Sequence, residues 1–142
     1  MAAPLVSAAL KAGDSVVATA RRPDQLAEFV EQYGDRVFPV ALDVTDVAAV
    51  HAALQTAVNR FGRIVVVVNN AGFANVSPIE RTTDEDFRTQ FDTNFWGVYN
   101  VSKAAIPILR AQGEARWCSF HLWAAGSGEI PGLPCTRRPS SL

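Results

Sequence analysis

The stretch Ile64-Val65-Val66-Val67-Val68-Asn69-Asn70-Ala71-Gly72 joins an unbroken apolar run to two amides and then to small residues. A run of β-branched residues that does not alternate with polar ones is typical of a strand buried on both faces, as in a parallel sheet. The amides would stand at the carboxyl end of this strand, where such sheets bind ligands. We therefore expect a central strand that ends in a binding loop.

Helix and strand patterns alternate on both sides of this strand. Glycines end the predicted helices, and Pro39 favours an edge position or a strand start for its segment. The predicted strands are 15–20, 37–42 and 64–68, and the predicted helices are 5–12, 24–33, 46–61 and 83–112. This order predicts an α/β fold with a doubly wound parallel sheet.

The helix predicted at 83–112 carries an apolar stripe and an amide within it. Thr82 and Glu85 have the spacing of a capping box at its start. Asn94 falls on the side predicted to be buried, where an amide is either a satisfied core group or holds a water or a carbonyl at a site. The predicted inward positions are Phe87, Phe91, Phe95, Val98, Ser102, Ala105 and Leu109.

Polar residues also follow the two earlier strands. Arg21 stands where an acidic side chain would bind the ribose of NAD and an arginine would neutralise the 2′-phosphate of NADP, although an ordinary solvated turn is the alternative. Asp43 could accept a hydrogen bond from an adenine amine or cap the following helix. The segment 69–72 needs partners for its amides, from a cofactor or from a neighbouring strand.

Four motifs in order resemble the short-chain dehydrogenase/reductase family over roughly residues 5–112. They are Gly13–Pro23, Leu42–Asp46, Val68–Gly72 and Asn94–Gly97, and the Asn-Asn-Ala-Gly element followed by Asn-x-x-Gly is the most specific of them. The resemblance implies a Rossmann-like NAD(P)-binding domain, here partial and covering 1–113, with a divergent, irregular tail at 114–142.

The resemblance also implies a function and its residues. An NADP-dependent oxidoreductase would interconvert an alcohol and a carbonyl by hydride transfer, with NAD the less favoured cofactor. Asn94 would belong to the catalytic tetrad, whose tyrosine is the acid/base. The cofactor would be bound by Arg21, Asp43, Val44, Asn70, Ala71 and Gly72.

The chain departs from the family at both ends. Met1-Ala2-Ala3-Pro4 supplies neither the first strand nor the glycine-rich turn that meets the pyrophosphate, so we expect a chain truncated at its N-terminus. In the doubly wound order that strand lies between 15–20 and 64–68. We expect a gap in the sheet there, and poor folding or completion of the sheet by association.

The catalytic tyrosine and lysine have no match. Tyr99 and Lys103 have the right spacing but lie on the same helix as Asn94, and such pairs arise often by chance, so we reject them. The ending 134–142 resembles a frameshift product: one alternative register reads Leu-His-Gln-Ala-Ala-Lys-Phe, with histidine at the tyrosine position. Sequencing the coding DNA tests this reading.

The amino-acid composition limits the classes of function that the protein can have. The 142 residues carry 13 basic and 14 acidic side chains, with 49% hydrophobic and 19% charged residues, which predicts one globular domain without a nucleic-acid-binding surface. No apolar run spans a bilayer, so a cytoplasmic protein is expected. Cys118, His121 and Cys135 have no zinc-ligand spacing, and we expect no metal site.

Two functions follow as alternatives. The leading one is an inactive fragment of an NADP-dependent dehydrogenase for a small-molecule alcohol or carbonyl. The other is a non-catalytic interaction module, in which the surplus apolar residues of the helix at 83–112 form a homo-oligomer. The substrate stays open, because the loops that shape its pocket lie beyond the resemblance.

Overall fold

The computed structural model describes residues 3–113 and 116–119, and the elements alternate between helix and strand along that range. Short 3₁₀ turns at Pro23–Leu26 and Ile79–Arg81 lead into helices. The elements are α1 (Ala3–Lys11), β1 (Val16–Ala20), α2 (Ala27–Tyr33), β2 (Val37–Ala41), α3 (Val47–Phe61), β3 (Val66–Asn69), α4 (Asp84–Phe91), α5 (Gly97–Ala111) and β4 (Arg116–Ser119).

The sheet is in two parts. β1 pairs with β2 in parallel, Val16 opposite Val37, and β3 pairs with β4 in parallel, Val66 opposite Arg116. Within residues 3–113 and 116–119 the two pairs are separate two-stranded sheets. The parallel α/β class is confirmed, and the sheet formed by the described residues is incomplete, as the sequence predicted.

Two expectations about strands need correction. Within the described ranges, β3, the strand predicted at the centre of the sheet, pairs with β4 alone, and Val68 is 42% exposed. Those residues leave its second edge and one of its faces without the cover that a central strand receives. The tail expected to be irregular contributes β4, because a parallel edge of β3 was available to it. The remainder of that tail, including His121, Cys135 and the suspected frameshift, lies outside the described residues.

Two apolar clusters lie on opposite faces of β1. Ala18 packs with Val6 and Leu10 of α1, and its neighbour Val17 packs on a cluster formed by α3, β3 and α5. Alternate residues of a strand point to opposite faces, so this split follows from the strand geometry. β1 is therefore covered by helices on both faces, as the apolar run at 15–20 predicted. The second cluster contains Val50, Ala57, Ile64, Val67, Val101, Ala104, Ala105 and Leu109.

The long helix predicted at 83–112 is interrupted by a π-helical segment, Asp92–Trp96. Its start is capped by Thr83, whose hydroxyl accepts from the Asp86 amide at 3.1 Å, one residue later than the box predicted at Thr82 and Glu85. The π turn adds a residue, which rotates what precedes it by about 100° relative to α5. Three residues predicted to face inward, which precede this segment or lie within it, are exposed, namely Phe87, Phe91 and Phe95.

No helix in the described part of the chain combines the length and the apolar character that crossing a bilayer requires.

Candidate functional site

The π turn presents Asn94 to the loop that follows β3. The Asn94 Oδ1 accepts from the Phe73 amide at 3.0 Å, and the Asn94 Nδ2 donates to the Phe73 carbonyl at 2.8 Å. Both polar atoms of the side chain are therefore satisfied by one residue of the loop. Of the two roles that the sequence allowed for Asn94, the structure shows a half-buried, hydrogen-bonded amide that holds a backbone segment.

Gly72 lies directly beside this contact. A Cβ built on Gly72 would stand 3.0 Å from the Asn94 Oδ1, tighter than nearly all real contacts of that kind. The loop can approach the helix closely because residue 72 has no side chain. The sequence motifs at 69–72 and 94–97 are thus brought together in space.

The same helix contacts the end of β2 one turn further on. The Asn100 Nδ2 donates to the Val44 carbonyl at 3.1 Å. Gly97 faces the Val44 side chain, and a Cβ on Gly97 would overlap the Val44 Cγ2. Val44 is therefore packed between the strand end and α5, which fixes the start of the segment that the resemblance assigns to adenine.

Asp43 is held in a tight turn by Thr45. Its Oδ1 accepts from the Thr45 amide at 2.9 Å and from the Thr45 hydroxyl at 2.7 Å. These hydrogen bonds, the backbone one foremost, hold the pKa of the Asp43 carboxyl below its ordinary value of 3.8, against a small opposing effect of burial, and the charge of Arg21 adds to the lowering. Asp46, not Asp43, caps α3, accepting from the Ala49 amide at 3.0 Å.

Arg21 and Asp43 therefore share one edge of the molecule, the carboxyl ends of β1 and β2. Both side chains are exposed, and Arg22 beside them is exposed as well. An exposed guanidinium at this edge can bind an anionic group. The structure brings together the two sequence-predicted residues nearest the adenosine end of the expected cofactor.

The residues at the end of β3 and in the loop after it differ in their exposure to solvent. Asn70 and Gly72 are half-buried and Ala71 is exposed. Asn69 is 6% exposed, and its Nδ2 has no hydrogen-bond partner among the described residues. A buried donor without an acceptor costs about 1–3 kcal/mol.

Tyr99 and Lys103 lie together but not as an acid/base pair. Both are exposed on α5, and the Lys103 Nζ stands over the Tyr99 ring, 5.5 Å from its centre. The ammonium contacts the face of the ring, as in a cation–π interaction, and not the phenol oxygen.

Two residues that hold the site were not singled out from the sequence. Gln90 accepts from the Asn75 amide at 2.6 Å through its Oε1, and Asn100 holds Val44 as described above. Gln90 and Asn94 are one helical turn apart. Two amide side chains at i and i+4, among the aromatic residues of this helix, are the sequence pattern that could have indicated Gln90. Their partners are backbone atoms of distant loops, which no local pattern reveals.

The chain belongs to the short-chain dehydrogenase family, whose pattern it matches over residues 2–117. It is 52% identical over 134 residues to Oxidoreductase BOA17 of Botryotinia fuckeliana (strain B05.10), a match that covers 91% of this chain and 47% of the relative. By family, the chain is therefore an oxidoreductase. It spans about half the length of that relative.

Two further comparisons agree. The NADP-dependent 3-hydroxy acid dehydrogenase YdfG of Shigella flexneri is 33% identical over 99 residues, covering 69% of this chain and 40% of the relative. The crystal structure of a short-chain dehydrogenase from Streptomyces avermitilis superposes with a TM-score of 0.74 at 35% identity, covering 80% of this chain and 42% of that one. The Rossmann-like fold, incomplete in this chain, is confirmed.

Proposed function

We propose that this chain carries the nucleotide-binding part of an NADP-dependent dehydrogenase that interconverts alcohols and carbonyls of small molecules. The observation that carries the proposal is the amide contact between Asn94 and Phe73, because it ties the loop after β3 to the long helix at the strands' carboxyl edge. Open α/β sheets bind dinucleotides at that edge. When bound, NADP accepts or donates the hydride.

Arg21 is the residue that we assign to the 2′-phosphate. Its side chain is exposed at the same edge as Asp43, whose Oδ1 accepts two hydrogen bonds from Thr45. An exposed guanidinium suits a phosphate because it offers paired donors in a fixed plane. The relative YdfG is named as an NADP-dependent dehydrogenase, which supports the same preference here.

The remaining residues fit a flat dinucleotide. Asp43 and Val44 would border the adenine, with Val44 held in place by Asn100 and Gly97. Small side chains at Ala71 and Gly72 leave the backbone accessible. The residues of the loop after β3 are uncharged, whereas Arg21 carries a positive charge. This distribution matches NADP, which differs from NAD by the negative charge of its 2′-phosphate.

Asn94 enters the proposal as a positioning residue. Both side-chain atoms are engaged by the Phe73 backbone, so the side chain acts on the cofactor through the loop it holds. The sequence offers only Tyr33 and Tyr99 as tyrosines, and Tyr99 is paired with Lys103 through its ring face. We infer that these 142 residues alone do not turn over substrate, since the acid/base pair contributes orders of magnitude in rate.

Calorimetric titration of the chain with NADPH, and with NADH as the control, tests the proposal. We expect NADPH to bind more tightly, and Arg21→Ala to weaken NADPH binding by about tenfold or more, the loss of a charge-assisted contact, while leaving NADH unchanged. Arg63→Ala removes an exposed arginine elsewhere and serves as the matched control. Equal affinity for the two cofactors, or an equal loss for both in Arg21→Ala, would reject the assignment.

A second function is favoured by one observation. Phe91, Phe95, Trp96 and Tyr99 form a continuous aromatic ladder, with ring centres 4.9, 5.4 and 5.6 Å apart in sequence order, and every member is at least 44% exposed. Exposed apolar patches of this kind mark interaction surfaces. We propose that the helix at 83–112 joins two copies of the chain. As the alternative to catalysis, we propose that this association is the chain's main function.

A further inference from the structure

The loop after β3, residues 70–78, forms neither helix nor strand. Among the described residues, no backbone–backbone hydrogen bond involves 71–77. A segment without such bonds opens more easily than a helix or a strand, because nothing within it fixes its backbone. The conformation of this loop therefore depends on the side chains that hold it from outside.

Two carboxamides of the long helix hold the loop. Asn94 bonds to the amide and the carbonyl of Phe73 at 3.0 and 2.8 Å. The Gln90 Oε1 accepts from the Asn75 amide at 2.6 Å. Within the described part of the chain, these three hydrogen bonds are the only ones that join 71–77 to a helix or a strand. Gln90 and Asn94 together therefore set the path of the loop.

The spacing of the two contacts agrees on the helix and on the loop. Gln90 and Asn94 are four residues apart, which is about 6 Å along a helix axis. Phe73 and Asn75 are two residues apart, which is at most about 7 Å in an extended chain. Alternate residues of an extended segment direct their backbone groups to the same side, as these two do. The helix thus offers the loop the hydrogen-bonding groups that a neighbouring strand would offer.

The contact made by Gln90 has little work to do in the stability of the fold. Asn75 is exposed, so water can replace the Gln90 acceptor when that side chain is removed. Fixing a glutamine side chain also costs rotamer freedom, which offsets much of what one hydrogen bond contributes. The main effect of this contact is therefore on where the loop lies.

We propose that Gln90 is a positioning residue for the nicotinamide half of the cofactor, on which it acts through the loop after β3. The inference rests on the proposed function, which assigns adenine and the 2′-phosphate to Arg21, Asp43 and Val44 at the ends of β1 and β2. The loop after β3 then borders the other half, nicotinamide and its ribose. By holding Asn75, Gln90 keeps the loop ordered before the cofactor arrives, so that binding does not have to order it.

The adenosine half lies at a different part of the long helix. Asn100, which donates to the Val44 carbonyl at 3.1 Å, is ten residues beyond Gln90. Ten helical residues span roughly 15 Å, and changes at sites more than about 7–10 Å apart act independently as a rule. Removing the Gln90 contact should thus change the binding of the nicotinamide half and leave that of the adenosine half as it is.

Two ligands separate the halves of the cofactor. NADPH carries both, whereas adenosine 2′,5′-bisphosphate carries only the adenosine half with its 2′-phosphate. In calorimetric titrations of the full chain, we expect Gln90→Ala to weaken NADPH binding at least about fivefold and to weaken binding of the bisphosphate less than about twofold. By NMR, the Asn75 amide should exchange its hydrogen at least about threefold faster in this variant.

Two further variants separate positioning from a general loss of stability. Gln90→Glu keeps an acceptor oxygen for the Asn75 amide and should recover most of the NADPH affinity, at about 0.3 M salt to screen the added charge. Gln55→Ala is the matched control, because Gln55 is exposed on α3 and donates to Asn59 of the same helix. It should leave the binding of both ligands unchanged.

Three results would overturn the inference. Equal losses for both ligands in Gln90→Ala would mean that Gln90 holds the fold as a whole, and no loss for either would mean that its contact is without effect on binding. A loss in Gln90→Glu as large as in Gln90→Ala would show that the acceptor oxygen does not matter. Failure of the proposed function gives a different result: the unaltered chain would not bind the bisphosphate, and the inference would fall with it.

Discussion

Asn94 and Phe73 are joined by two hydrogen bonds, 3.0 and 2.8 Å long, that link the π turn of the long helix to the loop after β3. The pair lies 21 residues apart in sequence. An asparagine offers one acceptor and one donor at fixed spacing, which matches the amide and carbonyl of a single residue. Because Gly72 precedes Phe73 and leaves room for the approach, the binding loop takes its position from the helix.

Asn94→Ala should loosen this loop. The substitution leaves the half-buried amide and carbonyl of Phe73 without their partner, and we expect the free energy of unfolding to fall by about 2 kcal/mol. Urea denaturation measures the change. Asn59→Ala, at an exposed position of α3, is the control and should stay within about 0.5 kcal/mol. Equal losses in the two variants would show that the contact with Phe73 contributes nothing specific.

Gly97→Ala should destabilise the chain although alanine favours helices. A Cβ at this position overlaps the Val44 Cγ2 and stands 3.1 Å from the Val44 Cβ. Overpacking of this kind costs about 1–3 kcal/mol, more than the roughly 1 kcal/mol that alanine gains over glycine in a helix. Thermal unfolding of Gly97→Ala, Val44→Ala and the double variant forms a cycle. The double variant should recover part of the loss, and strict additivity would contradict the overlap.

The positions of the strands were predictable from the sequence. Which side of the long helix faces the core was not. Apolar runs followed by a polar residue mark β1, β2 and β3 to within two residues, because short apolar runs rich in β-branched residues favour strands. Phe91 and Phe95 were predicted to face inward because a regular 3.6-residue period was assumed. The π turn breaks that period, and it forms through backbone hydrogen bonds that any residue can make.

The candidate site likewise contains residues that the sequence predicted and others that it did not. Asn94 and Gly72 were predicted as parts of a binding edge, since they lie in motifs with polar groups after apolar runs. Asn100 was not, because its partner is the Val44 carbonyl, 56 residues away and without a side-chain signature. Pairings with backbone atoms depend on how the helix is docked, which a single sequence does not encode in any local pattern.

Asp43 should make the stability of the chain depend on pH in acid. Its pKa is lowered in the folded state, foremost by the hydrogen bonds from Thr45. A lowered pKa stabilises the fold above the unfolded value, near 3.8, and this contribution disappears as the pH falls through the folded value. The difference in unfolding free energy between the chain and Asp43→Asn should thus be largest near neutral pH and shrink below pH about 4.

Urea denaturation of both proteins across this pH range measures that difference. Thr45→Ala should reproduce only part of the effect of Asp43→Asn, because it removes the hydroxyl hydrogen bond to Asp43 but keeps the backbone amide that contributes most to the lowered pKa. Glu31→Gln, an exposed carboxylate on α2, gives the effect of removing one negative charge. A difference that stays constant from pH 7 to 3 would mean that the carboxylate form of Asp43 is not favoured by the fold.

Phe95→Glu should reduce self-association of the chain. Phe95 is 53% exposed at the middle of the aromatic ladder, between Phe91 and Trp96, so its burial against a second copy would place a charge in an apolar contact. Sedimentation at increasing concentration should show a dimer for the unaltered chain and a monomer for the variant over the same range.

Val76→Glu is the matched control for this experiment. Val76 is 89% exposed in the loop before α4 and is not a member of the ladder, so the same charge there should leave the dimer intact. A chain that stays monomeric at every concentration would remove the basis of the interaction module. Dissociation by both variants would attribute the effect to net charge instead, because two copies that each gain a negative charge repel each other wherever it lies.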